Sequence, residues 1–173
     1  MRLRLATERL VLRDWTEDDV EPFAAMNADP DVMRYIGDGL PRTVRQTREA
    51  VELMMRRWDE QGWGTFAVEL AETREFVGFA ALAVPAFLPE ILPAVEVGWR
   101  IERRRWGQGL APEAARAVMG FAFDELGLDR VVSCIHPQNA ASIRVAEKLG
   151  MTLERETVVP VREVPCSVYE RRA

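Results

Sequence analysis

The chain has 173 residues, a formal net charge of −5, 48% apolar and 29% charged residues. This composition fits one soluble domain spanning residues 1–173, argues against a nucleic-acid partner and is compatible with a cationic substrate. The two cysteines have no metal-ligand spacing and no apolar run reaches membrane-spanning length, so a cytoplasmic protein without metal or membrane partner is expected, either monomer or homodimer.

In chain order, "LVLRDW" (residues 10–15) alternates as a strand does. Thr16 then reads as an N-cap, followed by acids in the first turn and a helix to about Asn27. "ADPDVMRYIGDGLP" reads as a loop with two turn signals. A second helix is predicted from Thr43 to Gly62, with Val51, Met54, Met55 and Trp58 on one stripe. "GTFAVEL" and "FVGFAALAV" read as strands, and "PAFLPEILP" as an apolar loop punctuated by proline. "AVEVGWRIE" is a strand with Val95, Val97, Trp99 and Ile101 on one face. A helix over Leu110–Leu126, the strand "DRVVSCIHP", a helix over Asn139–Leu149 stopped by Gly150, and the strands "MTLERETVVPV" and "VPCSVYERR" complete the chain. Adjacent strands imply hairpins and the single strand–helix–strand step implies one parallel pairing. The expected architecture is a mixed α/β sheet of about seven strands, mostly antiparallel, flanked on both faces by about four helices.

The run "ERRRWGQGLAPEA" (residues 102–114) places two glycines and three arginines between a strand and a helix. Free N–H groups at a helix start, with its dipole, suit a phosphate, and Gly107 and Gly109 let the backbone approach closely. Pro112 falls in the first helical turn, where its missing N–H costs nothing. A tight turn with a solvated basic flank is the alternative. The Gly-Lys-Ser/Thr of a Walker loop is absent, and Pro112 stands where a dinucleotide fingerprint has its third glycine.

The same run resembles the Arg/Gln-x-x-Gly-x-Gly/Ala loop of the GNAT superfamily of acyl-CoA-dependent N-acetyltransferases, with Arg104, Gly107 and Gly109 at its defined positions. "TERLVLRDWTEDDVEPFAAMNADPDVMRYIG" and "HPQNAASIRVAEKLGM" resemble the N-terminus and the Asn-x-x-Ser helix start of the RimJ/RimL-like branch. The resemblance covers nearly the whole chain and implies the GNAT fold, with acetyl-CoA as cosubstrate in a V-shaped opening between "AVEVGWRI" and "RVVSCI", the fourth and fifth strands of the pattern above. The pyrophosphate is expected on Arg104, Arg105, Gly107, Gln108, Gly109, Leu110 and Ala111, the pantetheine arm along Val97, Trp99 and Ile101, and Asn139 and Ser142 near the acetyl region.

Acetyl transfer to an amine needs a neutral nucleophile, a donor for the developing oxyanion and help for the leaving thiolate. Glu96, in an otherwise apolar strand, is the candidate base; an acid on a half-exposed polar face, beside Gly98 and Arg100, is the competing reading. The Val97 or Gly98 N–H is the candidate oxyanion donor. Many superfamily members place a tyrosine where this chain has Ala146, so Ser142 is the candidate thiolate partner, or else a helix-capping residue. His136, the sole histidine, reads as a turn residue, and a Cys134–His136 acyl-enzyme lacks an orienting carboxylate. The acceptor, a small-molecule or peptide amine, is expected among Asp29–Pro41, Trp63, Phe66 and the 85–93 loop. Met33, Tyr35, Phe87 and Leu88 would form a wall there, and Asp29, Asp31, Asp38 and Glu90 could meet an ammonium. A non-catalytic acyl-CoA-binding domain and a nucleotide-binding module of another fold are the alternative functions.

Overall fold

A computed structural model describes residues 3–173. These form eight strands: β1 (Leu5–Ala6), β2 (Leu10–Arg13), β3 (Thr65–Leu70), β4 (Phe76–Ala83), β5 (Val95–Ile101), β6 (Arg130–Ile135), β7 (Thr152–Val159) and β8 (Val164–Arg172). The α-helices are α1 (Val20–Asn27), α2 (Pro30–Met33), α3 (Val44–Gln61), α4 (Leu110–Asp124) and α5 (Ala140–Lys148). The expected seven strands and four helices thus gain β1 and α2. β1 is only two residues long and pairs with β2 alone. α2 begins at Pro30 behind the Asp29 cap, too short for any periodicity to announce it. A 3-10 turn at Pro89–Ile91 also interrupts the proline-rich loop.

Local chemistry explains the helix limits. Thr43 and Gln46 form a reciprocal capping box at the start of α3, and Gly62 ends it in the left-handed region. The buried stripe of α4, which includes Leu110, Ala114, Val118 and Ala122, is rich in alanine, so the helix lies close on the sheet. Trp15 and Trp58 both donate their indole N–H to the Thr65 carbonyl, at 2.9 and 2.7 Å, tying the approach to α1 and the end of α3 to the start of β3.

The strand order is β1-β2-β3-β4-β5-β6-β8-β7. All neighbours are antiparallel except β5 and β6. That parallel pair matches only at Val95–Val131 and Glu96–Val132 before the strands part. The sheet is therefore splayed at the place the sequence resemblance implies. Helices cover both faces. Phe23 of α1 packs edge-on against Phe79 with centroids 5.9 Å apart, whereas Phe121 of α4 packs against Phe66, which pairs with Ala80 and so points to the opposite side. Among the described residues no helix is long and apolar enough to cross a membrane.

Candidate active site

The opening between β5 and β6 is set by backbone alternation. Glu102 N–H donates to the Val77 carbonyl, so in this antiparallel ladder Glu96, Gly98 and Arg100 spend their backbone groups on β4. Val97, Trp99 and Ile101 turn theirs toward β6. The Val97 N–H makes the last bond of that parallel pairing, to Val132, and past it no strand among the described residues meets them. Two of these carbonyls are met by side chains: Ser133 Oγ donates to Val97 O at 2.6 Å, and Trp106 Nε1 donates to Ile101 O at 2.7 Å. The N–H and C=O of Trp99 are left facing the gap, an open strand edge suited to an extended, amide-containing arm. The same alternation corrects one expectation. The Gly98 N–H belongs to the ladder with Ala81 and the Val97 N–H to the parallel pairing with Val132, so neither oxyanion candidate faces the opening.

A cleft of about 680 Å³ runs from this edge over the turn before α4. Gly107 and Gly109 lie at φ +76° and +78°, where a side chain is strained. An added β-carbon would meet nothing at Gly107 and only the Arg9 guanidinium, at 3.5 Å, at Gly109. Arg9 also fixes the turn. Its Nη1 donates to the Gln108 carbonyl at 2.9 Å and its Nε to Glu113 at 2.7 Å. In a trans peptide C=O and N–H are opposed, so holding the Gln108 carbonyl directs the Gly109 N–H the other way. Burial opposes ionisation of Glu113, but hydrogen bonds from Thr7 and Arg9 hold its pKa below the usual carboxylate range. Neither Arg9 nor Glu113 is evident from sequence, because their link spans a long stretch of chain.

The cleft is lined by Arg34, Arg100, Arg103, Arg105, Arg144 and Lys148 against one acid, Asp31. In a chain of net charge −5 this concentration of positive charge fits a polyanion. Of the expected cofactor residues, Trp99, Ile101, Arg105, Gly107, Gly109, Leu110, Ala111, Asn139 and Ser142 line it. Arg104 and Gln108 do not. The Arg104 guanidinium turns to Glu75 and Glu102, and the Gln108 side chain donates back to the Arg104 carbonyl at 3.3 Å. Carboxylates that compete for Arg104 are the physical reason its charge is directed elsewhere. Arg105 also pairs with Glu75, at 2.7 Å, and Arg103 with Asp31, at 2.8 Å.

A second cleft, of about 400 Å³, opens on the Glu96–Arg100 face of β5. The two clefts share Tyr35, Ile36, Trp99, Arg100, Asn139 and Ser142. Val97 lines only the second. Asn139 Oδ1 accepts from the Ser142 N–H at 3.2 Å, so Asn139 is the cap of α5 and Ser142 the capped residue. The Ser142 hydroxyl makes no hydrogen bond among the described residues, and it sits at the first turn of a nine-residue helix. Ala146 is fully buried, which leaves no room for a tyrosine there without repacking.

Glu96 lies on the floor of the second cleft. Burial pushes its carboxyl up to about 7, against the partial opposing effect of the Cys134 N–H, which donates to it at 3.2 Å. Both cysteines are free. The hydrogen bond with Cys166, burial and the Glu96 charge all push the Cys134 thiol far up, so it is held protonated and unsuited to carry an acyl group. The His136 ring stacks on Tyr35, with centroids 5.1 Å apart, and its Nδ1 accepts from the Gln138 N–H. This stack, at the junction of the clefts, was not legible in sequence.

Several acceptor expectations are corrected. Met33, Leu88 and Phe66 are core residues, and Thr65 lines the cleft in place of Trp63. Asp29 caps α2, Asp31 pairs with Arg103, Asp38 with Arg42, and Glu90 lies 3.8 Å from Arg155. None of these four acids faces the second cleft, where Glu96 is the single carboxylate. Among the described residues no group of side chains could hold a metal ion.

Comparison with known proteins agrees with this geometry. The family described as acetyltransferase (GNAT) domain matches residues 9–152. The chain is 38% identical to the uncharacterized protein YkkB of Bacillus subtilis (strain 168), covering 99% of this chain and 97% of that one. The crystal structure of an acetyltransferase from Agrobacterium tumefaciens str. C58 superposes with a TM-score of 0.84 at 30% identity, covering 100% of this chain and 96% of the other. RimL, a ribosomal L7/L12 alpha-N-protein acetyltransferase solved in complex with coenzyme A, shares the fold with a TM-score of 0.77 at 17% identity, covering 98% of each chain. With its sheet parted beside a glycine turn and its sequence matched over most of its length, the chain belongs to the GNAT acetyltransferases and is an acyltransferase.

Proposed function

We propose that this protein transfers the acetyl group of acetyl-CoA to a primary amine by direct attack in a ternary complex. One observation carries this reading: two clefts, one basic and one holding a carboxyl with a pKa of about 7, meet at Trp99, Asn139 and Ser142 beside an open strand edge. In the basic cleft the turn from Arg105 to Ala111 would hold the pyrophosphate and the Trp99 backbone would pair with the pantetheine amides. The cosubstrate supplies an activated thioester.

The chain's residues then do two things. Glu96 accepts the proton of the incoming ammonium, directly or through a water, which leaves the nitrogen lone pair free to attack. The Ser142 hydroxyl, with the dipole of α5, hydrogen-bonds the departing sulfur, which takes up the proton that the attacking nitrogen loses as the amide forms and leaves as coenzyme A. Most of the rate enhancement is positioning.

Coenzyme A release followed with a thiol reagent tests this: it should require both acetyl-CoA and an amine, with intersecting initial-velocity lines. Tight coenzyme A binding without amine-dependent release over a broad panel of amines and short peptides would favour the non-catalytic acyl-CoA-binding reading. For the turn, Gly109→Val should weaken coenzyme A binding by more than ~10-fold, about 1.4 kcal/mol, measured by calorimetry on folded protein. Unchanged affinity would move the pyrophosphate elsewhere.

A further inference from the structure

The far end of the second cleft, away from Glu96, is built from guanidinium groups. Arg100 lies on the same face of β5 as Glu96, four residues on, roughly 13 Å between Cα positions at ~3.3 Å per residue. It lines both clefts, and its guanidinium carbon sits 4.9 Å from the Phe79 ring centroid. Its Nη1 donates to Asn27 Oδ1 at 2.7 Å, a neutral partner, and its buried Nε has no hydrogen-bond partner. No carboxylate pairs with it among the described residues. Burial lowers its pKa to about 10, so it keeps its charge at neutral pH.

Arg162, in the β7–β8 turn, reaches across the cleft mouth to the loop after α2. A β-carbon added to Gly37 would lie 3.0 Å from Arg162 Nη1 and 3.1 Å from Arg42 Nη2, so the two guanidiniums flank one point. Asp38 neutralises Arg42, but Arg162 has no carboxylate partner among the described residues. Elsewhere in the molecule arginines on the surface are commonly matched to acids, as Arg9 is to Glu113 and Arg130 to Glu170. A buried cation without a carboxylate costs free energy; the Phe79 ring and Asn27 offset part of that cost, and an anion entering the cleft would offset more.

We propose that Arg100 and Arg162, with Arg42 beside them, form a subsite for an anionic group on the acceptor, so that the substrate is an amine carrying a carboxylate or phosphate several bonds from its nitrogen. This rests on the acetyl-transfer reading of the two clefts. It narrows the cationic acceptor with which the net charge is compatible, because apart from Glu96 no acid lines the second cleft. Forked N–H donors suit either anion.

The test uses the full chain and three amines of equal length: delta-aminovalerate, its primary amide and cadaverine, with aminopropyl phosphate as the phosphate arm. Binding to the protein saturated with coenzyme A is measured by calorimetry, and turnover with acetyl-CoA by thiol release. The expected order is anion above amide above cation, with about tenfold or more between the first two. Of the two anions, the one with the higher affinity identifies the group the subsite takes. Arg162→Glu, an exposed position that should leave folding intact, should collapse or invert the anion-to-amide ratio. Arg100→Gln should do the same if it folds. Cadaverine equal to or better than aminovalerate, no detectable binding of either anion, or an unchanged ratio in Arg162→Glu overturns the subsite. If the binding order holds without turnover, the subsite stands and the acetyl-transfer reading falls.

Discussion

Glu96→Gln is expected to lower kcat by about 100-fold or more while leaving coenzyme A affinity nearly unchanged, because glutamine keeps the shape but cannot take a proton. The pH dependence makes the result specific. With the carboxyl pushed up to about 7, wild-type kcat/KM should rise as pH passes through about 7, and the variant should lose that limb. Activity should partly return at high pH, where the amine deprotonates in solution. The same residue predicts a stability effect of opposite sign. A carboxyl whose folded pKa is raised favours folding in its protonated form. Its contribution is full below the ordinary value of 4.5 and is lost as pH rises through about 7. At about 1.4 kcal/mol per unit, the wild type should lose up to about 3 kcal/mol across that window and the glutamine variant should not. Denaturant melts of both proteins between acid and mildly alkaline pH check this. A folded variant with full activity at neutral pH would remove Glu96 from the chemistry, whatever the melts show.

Ser142→Ala should lower kcat by about 10- to 100-fold with little change in either binding constant, since its hydrogen bond to sulfur strengthens as negative charge builds there. Two features separate this from a capping role. The first-turn cap is Asn139, which already satisfies the Ser142 N–H. Among the described residues the Ser142 hydroxyl has no hydrogen-bond partner to lose. The melting temperature should therefore stay within the small range of an ordinary surface change, whereas loss of a true cap would cost about 1 kcal/mol. Asn139→Ala is the matched control and should show that stability loss. If Ser142→Ala melts early and turns over normally, the hydroxyl is structural and another group, with Tyr35 a candidate that lines both clefts, must assist the thiolate.

Much of this was legible in the order of residues, and the reasons are local. The α3 limits follow from Thr43, Gln46 and Gly62, which act within one turn of themselves. The glycine turn before α4 was readable because Gly107, Gly109 and Pro112 impose backbone geometry without help from elsewhere. The face alternation of β5 put Glu96 opposite Val97 and Trp99 before any fold was known. The tertiary structure decided what depends on partners distant in sequence. It turned Arg104 toward Glu75, tied Gln108 to Arg9, took Gly98 out of the oxyanion site through its register with Ala81, and placed His136 on Tyr35. The anionic subsite proposed above rests on packing in the same way. Summed charge carries no position, and only packing shows that Arg100 is buried beside Phe79 without a carboxylate while the loop acids already have partners. Backbone geometry and side-chain period are written residue by residue, but electrostatic pairing depends on three-dimensional distance, which the fold alone supplies.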